Sequence, residues 1–316
     1  MNDFGELKRL ELSAVWQREA HHFTPWLAEN IGRLGEALGM ELELEQREAS
    51  VGSFSVDLLA RDLGTDRLVV IENQFGATNH DHLGKLLTYA AGFDAGAVIW
   101  VGETIREEHR QALDWLNQRT DTSTHFFGVA VEVLQIDDSR PAYNFRPVVL
   151  PNEWRKQQKQ RGEQTLSSRG EAYRAYFQGL IDVLRDEHHF TSARLGQPQS
   201  WYSFSTGLSG VHYGASFALG GRVRADLYIG TREEHFNKRL FDWLHDQKVA
   251  IEQAFGEPLE WERLDEKVAS RVAVYGPGSI DDEQTLDEIR TWHVQRLLKI
   301  KDVFGSRLSR FKSTAG

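Results

Sequence analysis

Two carboxylates and an amide stand where buried strands are expected. Asp57 interrupts the apolar run of SFSVDLLA, and Glu72 and Gln74 follow directly on VVI in RLVVIENQ. Aspartate and glutamate are disfavoured in strands, so both placements ask for a reason. Side chains alternate along a strand, which puts Glu72 and Gln74 on one face and Asn73 on the other. With Leu63-Gly64-Thr65-Asp66 as the turn between two strands, Asp57 comes near Glu72 on one sheet face. Two carboxylates in a half-buried place repel, and burial makes their ionised forms costly. A hard divalent cation relieves both costs. Mg2+ or Mn2+ suits oxygen ligands that leave room for water and phosphate. The plain alternative is that both acids face solvent on edge strands.

The elements that must position these residues follow from periodicity. Thr24-Pro25 reads as a helix start, with Leu27, Ile31, Leu34 and Leu38 at helical spacing and Gly39 as the stop. MELELEQREASV alternates as a strand, and FSVDLLARD and RLVVIENQ form a hairpin after it. A helix opening on Thr78-Asn79-His80-Asp81 comes next, then strand AGAVIWVG, helix ETIREEHRQALDWLNQRT and strand FFGVAVEVLQI. The second half reads as an α+β domain, with a helix from Gly170, Gly-punctuated strands, a long helix from Glu233 to Gly256, two more strands and a final helix from about Asp282 to Phe304. We therefore expect domains at 1–150 and 169–316, joined by a polar, basic linker at 151–168.

Composition narrows the function classes. The chain has 316 residues, no cysteine and a formal net charge of −10. The missing cysteine excludes disulfides, thiolate metal sites and cysteine nucleophiles, and suits a cytoplasmic protein. No apolar run is long enough for a membrane span, and MNDFGELKRLELSAVW has no secretory core. An acidic chain is unsuited to coating nucleic acid broadly, so any such binding must be local. Candidate grips are Arg155, Lys156, Lys159 and Arg161 in the linker, Arg222 and Arg224 on one strand face, and the basic run from Arg296 to Lys312. No phosphate-cradling G-x-x-x-x-G-K motif occurs, so no built-in nucleotide hydrolysis is expected.

The phrases FTPWLAEN, VDLLA, VIENQ, HDHLGKLLTYAAG and ALDWLN carry a resemblance. Over roughly Phe23 to Gly102 the chain resembles the PD-(D/E)xK nuclease superfamily, and the whole chain resembles bacterial proteins of the DUF4268 type. The resemblance implies an α/β fold with a restriction-endonuclease-like αβββαβ core followed by a second α+β domain. It implies a Mg2+- or Mn2+-dependent nuclease, with DNA as partner and phage defence or restriction as a setting. A homodimer would fit cutting of both strands. On this pattern Asp57 and Glu72 hold the metal. Gln74 stands where lysine is usual, a departure that removes a positive charge. Lys85 and Tyr89 match the Q-x-x-x-Y pattern of RecB-like members with lysine in place of glutamine, so Lys85 is the candidate replacement charge and Tyr89 a nucleic-acid contact. Glu29 is the expected upstream acid, with Glu36 as the other choice. The alternatives are a binding module with a decayed site, or a sensor whose C-terminal domain takes a ligand or partner.

Other signals read as structure. His80 and His82 diverge by about 200° on a helix and poorly share one metal. Trp115, Trp243 and Trp292 sit among leucines at helical spacing and are expected in cores.

Overall fold

A computed structural model describes residues 4–52, 54–120, 124–151 and 168–315. The chain divides into two compact units. One comprises Met1–Leu38, Leu42–Asp62 and Asp66–Glu163; the other comprises Gly39–Glu41, Leu63–Thr65 and Gln164–Gly316. The linker expected at 151–168, with Arg155, Lys156, Lys159 and Arg161, falls almost wholly outside the described residues.

The first unit is built on a mixed seven-stranded sheet. Its strands are β1 (Leu7–Leu10), β2 (Leu42–Val51), β3 (Phe54–Asp62), β4 (Arg67–Ala77), β5 (Ala97–Thr104), β6 (His125–Ile136) and β7 (Ala142–Val149). They run in the order β1-β6-β5-β4-β3-β2, with β7 also on β6. Strands β2, β3 and β4 are antiparallel, while β4, β5 and β6 are parallel. The αβββαβ order is therefore present. Val69, Val70 and Ile71 are fully buried, as a strand covered on both faces requires. Periodicity missed β1 and β7. β1 is four residues long, and β7 carries Pro147, which an edge strand tolerates.

Helix α1 (Leu12–Val15) leads to a π-helical turn (Glu19–Phe23), followed by α2 (Thr24–Glu29) and α3 (Ile31–Leu38). Thr24 is not an N-cap. Its backbone is already helical, because the π turn runs straight into α2. The expected single helix breaks at Asn30, whose side-chain amide donates to the Trp26 carbonyl at 2.8 Å. Helix α4 (His80–Gly92) is capped by Asn79, whose side chain accepts from His82 N–H at 3.0 Å. It presses Leu86 and Tyr89 onto a core with Val98 and Trp100 of β5 and Leu113 of α5 (Glu107–Arg119). Trp115 lies on the outer side of α5 and is 57% exposed, contrary to expectation. It stands two residues past Leu113, about 200° round the helix from the buried stripe through His109 and Leu113.

The second unit has an antiparallel five-stranded sheet, β11-β12-β10-β9-β8. Its strands are β8 (Trp201–Ser205), β9 (Val211–Ala218), β10 (Arg222–Ile229), β11 (Glu260–Glu262) and β12 (Ser270–Pro277). Val223, Ala225, Leu227 and Ile229 join a core with α6 (Ser168–Asp186), α7 (Glu234–His245), α8 (Lys248–Phe255) and α9 (Leu286–Ala315). Arg222, Arg224 and Asp226 alternate with them on the other face. No helix among the described residues is long and apolar enough to cross a membrane.

Candidate functional site

Strands β3 and β4 pair only as far as Leu58 and Ile71. One step further, where Asp57 meets Glu72, carboxylates take the place of the backbone ladder. Glu72 Oε2 accepts from Asp57 N–H at 3.4 Å, and Asp57 Oδ2 accepts from Asn73 N–H at 2.8 Å. The next amide on that side of β4, Phe75 N–H, donates to Glu19 Oε2 of the π turn. Each opened backbone donor thus finds a carboxylate oxygen, which satisfies the amides and fixes three acids in one place. For Asp57, Glu72 and Glu19 the second oxygen has no protein donor among the described residues.

The environment raises all three acids. Burial, then the Asp57 charge, pushes Glu72 up to about 8. Burial also raises Asp57, partly offset by its bond from Asn73 N–H and by the Lys85 charge. Glu19 is raised by burial first, with Asp57 adding to it and Phe75 N–H and Lys85 opposing. Lys85 makes no described ion pair within 4 Å, yet its charge acts on all three carboxylates from α4.

No group of three or more His, Asp or Glu among the described residues is close enough to hold a metal ion as it stands. The pair Asp57–Glu72 nonetheless fits a small divalent cation. It offers hard oxygens with spare lone pairs, and Mg2+ is commonly held by one or two carboxylates while keeping its waters.

The other expected residues divide. Gln74 is buried, and both ends of its amide are engaged: Nε2 donates to the Ala77 carbonyl at 3.2 Å and Oε1 accepts from Asn79 N–H at 3.3 Å. It braces the turn in which Gly76 adopts φ +70° and β4 slips register against β5. Asn73 points to the opposite face, where its Nδ2 donates to Thr24 Oγ1 at 3.1 Å. Tyr89 is 1% exposed, and its hydroxyl donates to the Ser55 carbonyl at 2.8 Å. It ties α4 to β3 and offers no surface to a nucleic acid, which corrects the expected contact. Glu29 is exposed at the end of α2 and has no described partner in the carboxylate cluster; Glu36 pairs with Arg33 at 3.0 Å on the surface. The upstream acid brought to Asp57 and Glu72 is Glu19 instead. The sequence offered one signal for it, an acid just before the HHFTP start, but a π turn has no periodic signature to mark it.

On the second sheet, Arg224 is half-withdrawn from solvent. Its Nε lies 2.7 Å from Asp226 Oδ2, where the N–H direction makes an ion pair but not an aligned hydrogen bond. Arg271 lies 3.0 Å from the same oxygen. Asp226 is raised by burial and held down by the two guanidinium groups. Arg224 is thus committed to a buried acid, which corrects its expected phosphate role. Arg222 is the exposed member, resting 4.3 Å from the Tyr275 ring centroid. The basic run on α9 is largely used internally: Arg296 pairs with Glu257, Lys299 Nζ donates to the Phe255 carbonyl and Lys301 Nζ to the Phe190 carbonyl.

Residues 172–308 match a family model described as "Domain of unknown function (DUF4268)". No curated protein matches the chain. Among solved structures, a complex of EndoMS with double-stranded DNA is 19% identical over 41% of this chain and 49% of that one, with a TM-score of 0.29. A repair endonuclease from Pyrococcus abyssi is 15% identical over 40% and 48%, with a TM-score of 0.27. SfsA of Pyrococcus furiosus in complex with Ca2+ is 12% identical over 39% and 59%, with a TM-score of 0.25. The chain spans about half the length of the first two.

Proposed function

We propose that the first unit is a nuclease dependent on Mg2+ or Mn2+, with DNA as substrate and Asp57 and Glu72 as the cation's ligands. The supporting observation is the carboxylate pair at the opened end of the β3–β4 ladder. Each acid is anchored by one backbone N–H and keeps one oxygen for a ligand. A bound divalent cation would neutralise charge on a phosphate and acidify a water. The backbone bonds keep both carboxylates in place while they wait, so little rearrangement is needed on binding. Glu19, raised by burial and held by Phe75 N–H, stands beside the pair as the group to accept a proton. Lys85 supplies the positive charge that Gln74 does not, steadying the acids and attracting phosphate. Gln74 contributes by holding the β4–α4 turn that sets Lys85 over the sheet.

The test is relaxation of supercoiled plasmid by purified protein with Mg2+, Mn2+ or a chelator. Nicking that requires the metal and disappears in Asp57→Ala and Glu72→Ala is expected. Wild-type rates in both variants would refute the assignment. A second reading, a DNA-binding module without turnover, is favoured by the full engagement of the Gln74 amide. It predicts metal-stimulated DNA binding with no cleavage under any metal.

A further inference from the structure

At the π turn that carries Glu19 the first unit holds an open cavity of about 470 Å³ that the proposed chemistry does not use. Its floor is aromatic. Trp16 and Trp26 stand with ring centroids 4.7 Å apart, and Trp26 is wedged in turn against Tyr143 at 4.8 Å. Trp16 also packs edge-on against Phe23 at 5.0 Å. These rings are set before any ligand arrives. The rim is polar and carries Gln17, His21, His22 and Glu29. His22 Nδ1 accepts from Arg18 N–H at 3.2 Å, while Gln17, His21 and Glu29 have no described hydrogen bond or ion pair. The volume falls within the range of roughly 300–1,000 Å³ usual for small-molecule sites.

The lining excludes one class of ligand and favours another. No lysine or arginine lines the cavity, and Glu29 adds a negative charge, so no permanent cation is there to hold a phosphate. A flat, uncharged heterocycle suits the aromatic floor, because every nucleobase has a face that stacks on an aromatic ring. The carboxylate only accepts hydrogen bonds, and its two oxygens match two parallel N–H donors. Guanine is the DNA base that presents such a pair, at N1 and N2, on one edge. The π turn joins the cavity to the acids. Glu19 sits in the carboxylate cluster and His21 on the cavity rim, two residues on and so at most about 7 Å along the backbone.

We infer that this cavity is a nucleobase subsite that seats an unstacked guanine of the strand whose phosphate meets Asp57 and Glu72. The inference builds on the proposed nuclease reading but is separable from it. A base reaches such a cavity only from single-stranded or locally opened DNA, so the subsite gives preference for unpaired guanine.

The binding test needs no turnover. Trp fluorescence of the full chain is titrated with guanosine, adenosine, cytidine and thymidine in chelator. Guanosine should quench the signal most strongly. Glu29→Gln, at an exposed position, should abolish the preference for guanosine over adenosine. Trp26→Ala should weaken binding by about 5- to 150-fold, the range set by about 1–3 kcal/mol per stacked base. Trp26→Phe, which retains a stacking face and the packing against Tyr143, serves if Trp26→Ala does not fold. No quenching by guanosine, or an unchanged preference in Glu29→Gln, overturns the subsite. Plasmid cleavage run in parallel keeps the two ideas apart. Cleavage without guanosine binding sinks only the subsite, and guanosine binding without cleavage under any metal sinks only the nuclease.

Discussion

Replacing Glu72 by glutamine should stabilise the metal-free protein, and only at high pH. The carboxyl of Glu72 is pushed from an ordinary 4.5 to about 8, first by burial and then by Asp57. Below pH 4.5 folded and unfolded chains both hold the proton, and the group contributes no pH-dependent cost. Between 4.5 and about 8 the folded chain keeps a proton that the unfolded chain has released, so stability falls as pH rises. Above that window both forms are ionised and the full cost is present. At about 1.36 kcal/mol per pH unit the interval gives a ceiling of about 5 kcal/mol. The ceiling is not reached in full because Asp57 and Glu72 titrate as a pair. Glutamine keeps an oxygen to accept from Asp57 N–H and carries no charge. Urea unfolding of wild type and Glu72→Gln at pH 4.5 and pH 9 measures the difference. A gain of about 2–4 kcal/mol at pH 9 that vanishes at pH 4.5 is expected. Added Mg2+ should stabilise the wild type at pH 9 and not the variant, since the ligand oxygen is gone. Equal differences at the two pH values would refute the buried-pair reasoning.

Glu19→Gln should lose plasmid cleavage by about 100-fold or more if the residue accepts a proton, whereas Glu36→Gln should cut at the wild-type rate; equal rates for both would remove Glu19 from the site. Lys85→Ala should abolish cleavage and raise Glu72 further, because an opposing positive charge is lost; a carboxyl titration followed by NMR reads the shift, and an unchanged value would count against it. Arg224→Ala should destabilise the second unit by about 1–3 kcal/mol, less than breaking a lone buried pair because Arg271 still faces Asp226, with DNA affinity unchanged. Gly214→Ala should be more damaging, since its Cβ would lie 2.0 Å from Asp226 Oδ1; a melting temperature equal to wild type would show that the ion cluster has room to move.

Asp57 and Glu72 were legible in the sequence because strand alternation is a local rule. A carboxylate following VVI, opposite another in VDLL, announces a polar end to a buried hairpin whatever the rest of the chain does. The αβββαβ order and the start of α4 within Thr78-Asn79-His80-Asp81 followed from local signals too, with Asn79 taking the cap. What tertiary structure decided was which other groups reach that hairpin end. Glu19 is bonded to an amide 56 residues away, through a π turn with no sequence period, while Glu29 has the conventional helical setting and faces a different cavity. Gln74 looked like a substitute for lysine, but the Gly76 turn brings Ala77 and Asn79 back onto its amide. Arg222 and Arg224 read alike as alternating strand residues; Arg224 pairs with the buried Asp226 two residues along its own strand, where Arg271 of β12 joins it, while Arg222 rests on the half-buried ring of Tyr275 across the sheet. Periodicity reports which face a residue occupies. Partners that meet across the sheet or from a distant turn depend on register and packing, and those are properties of the folded whole.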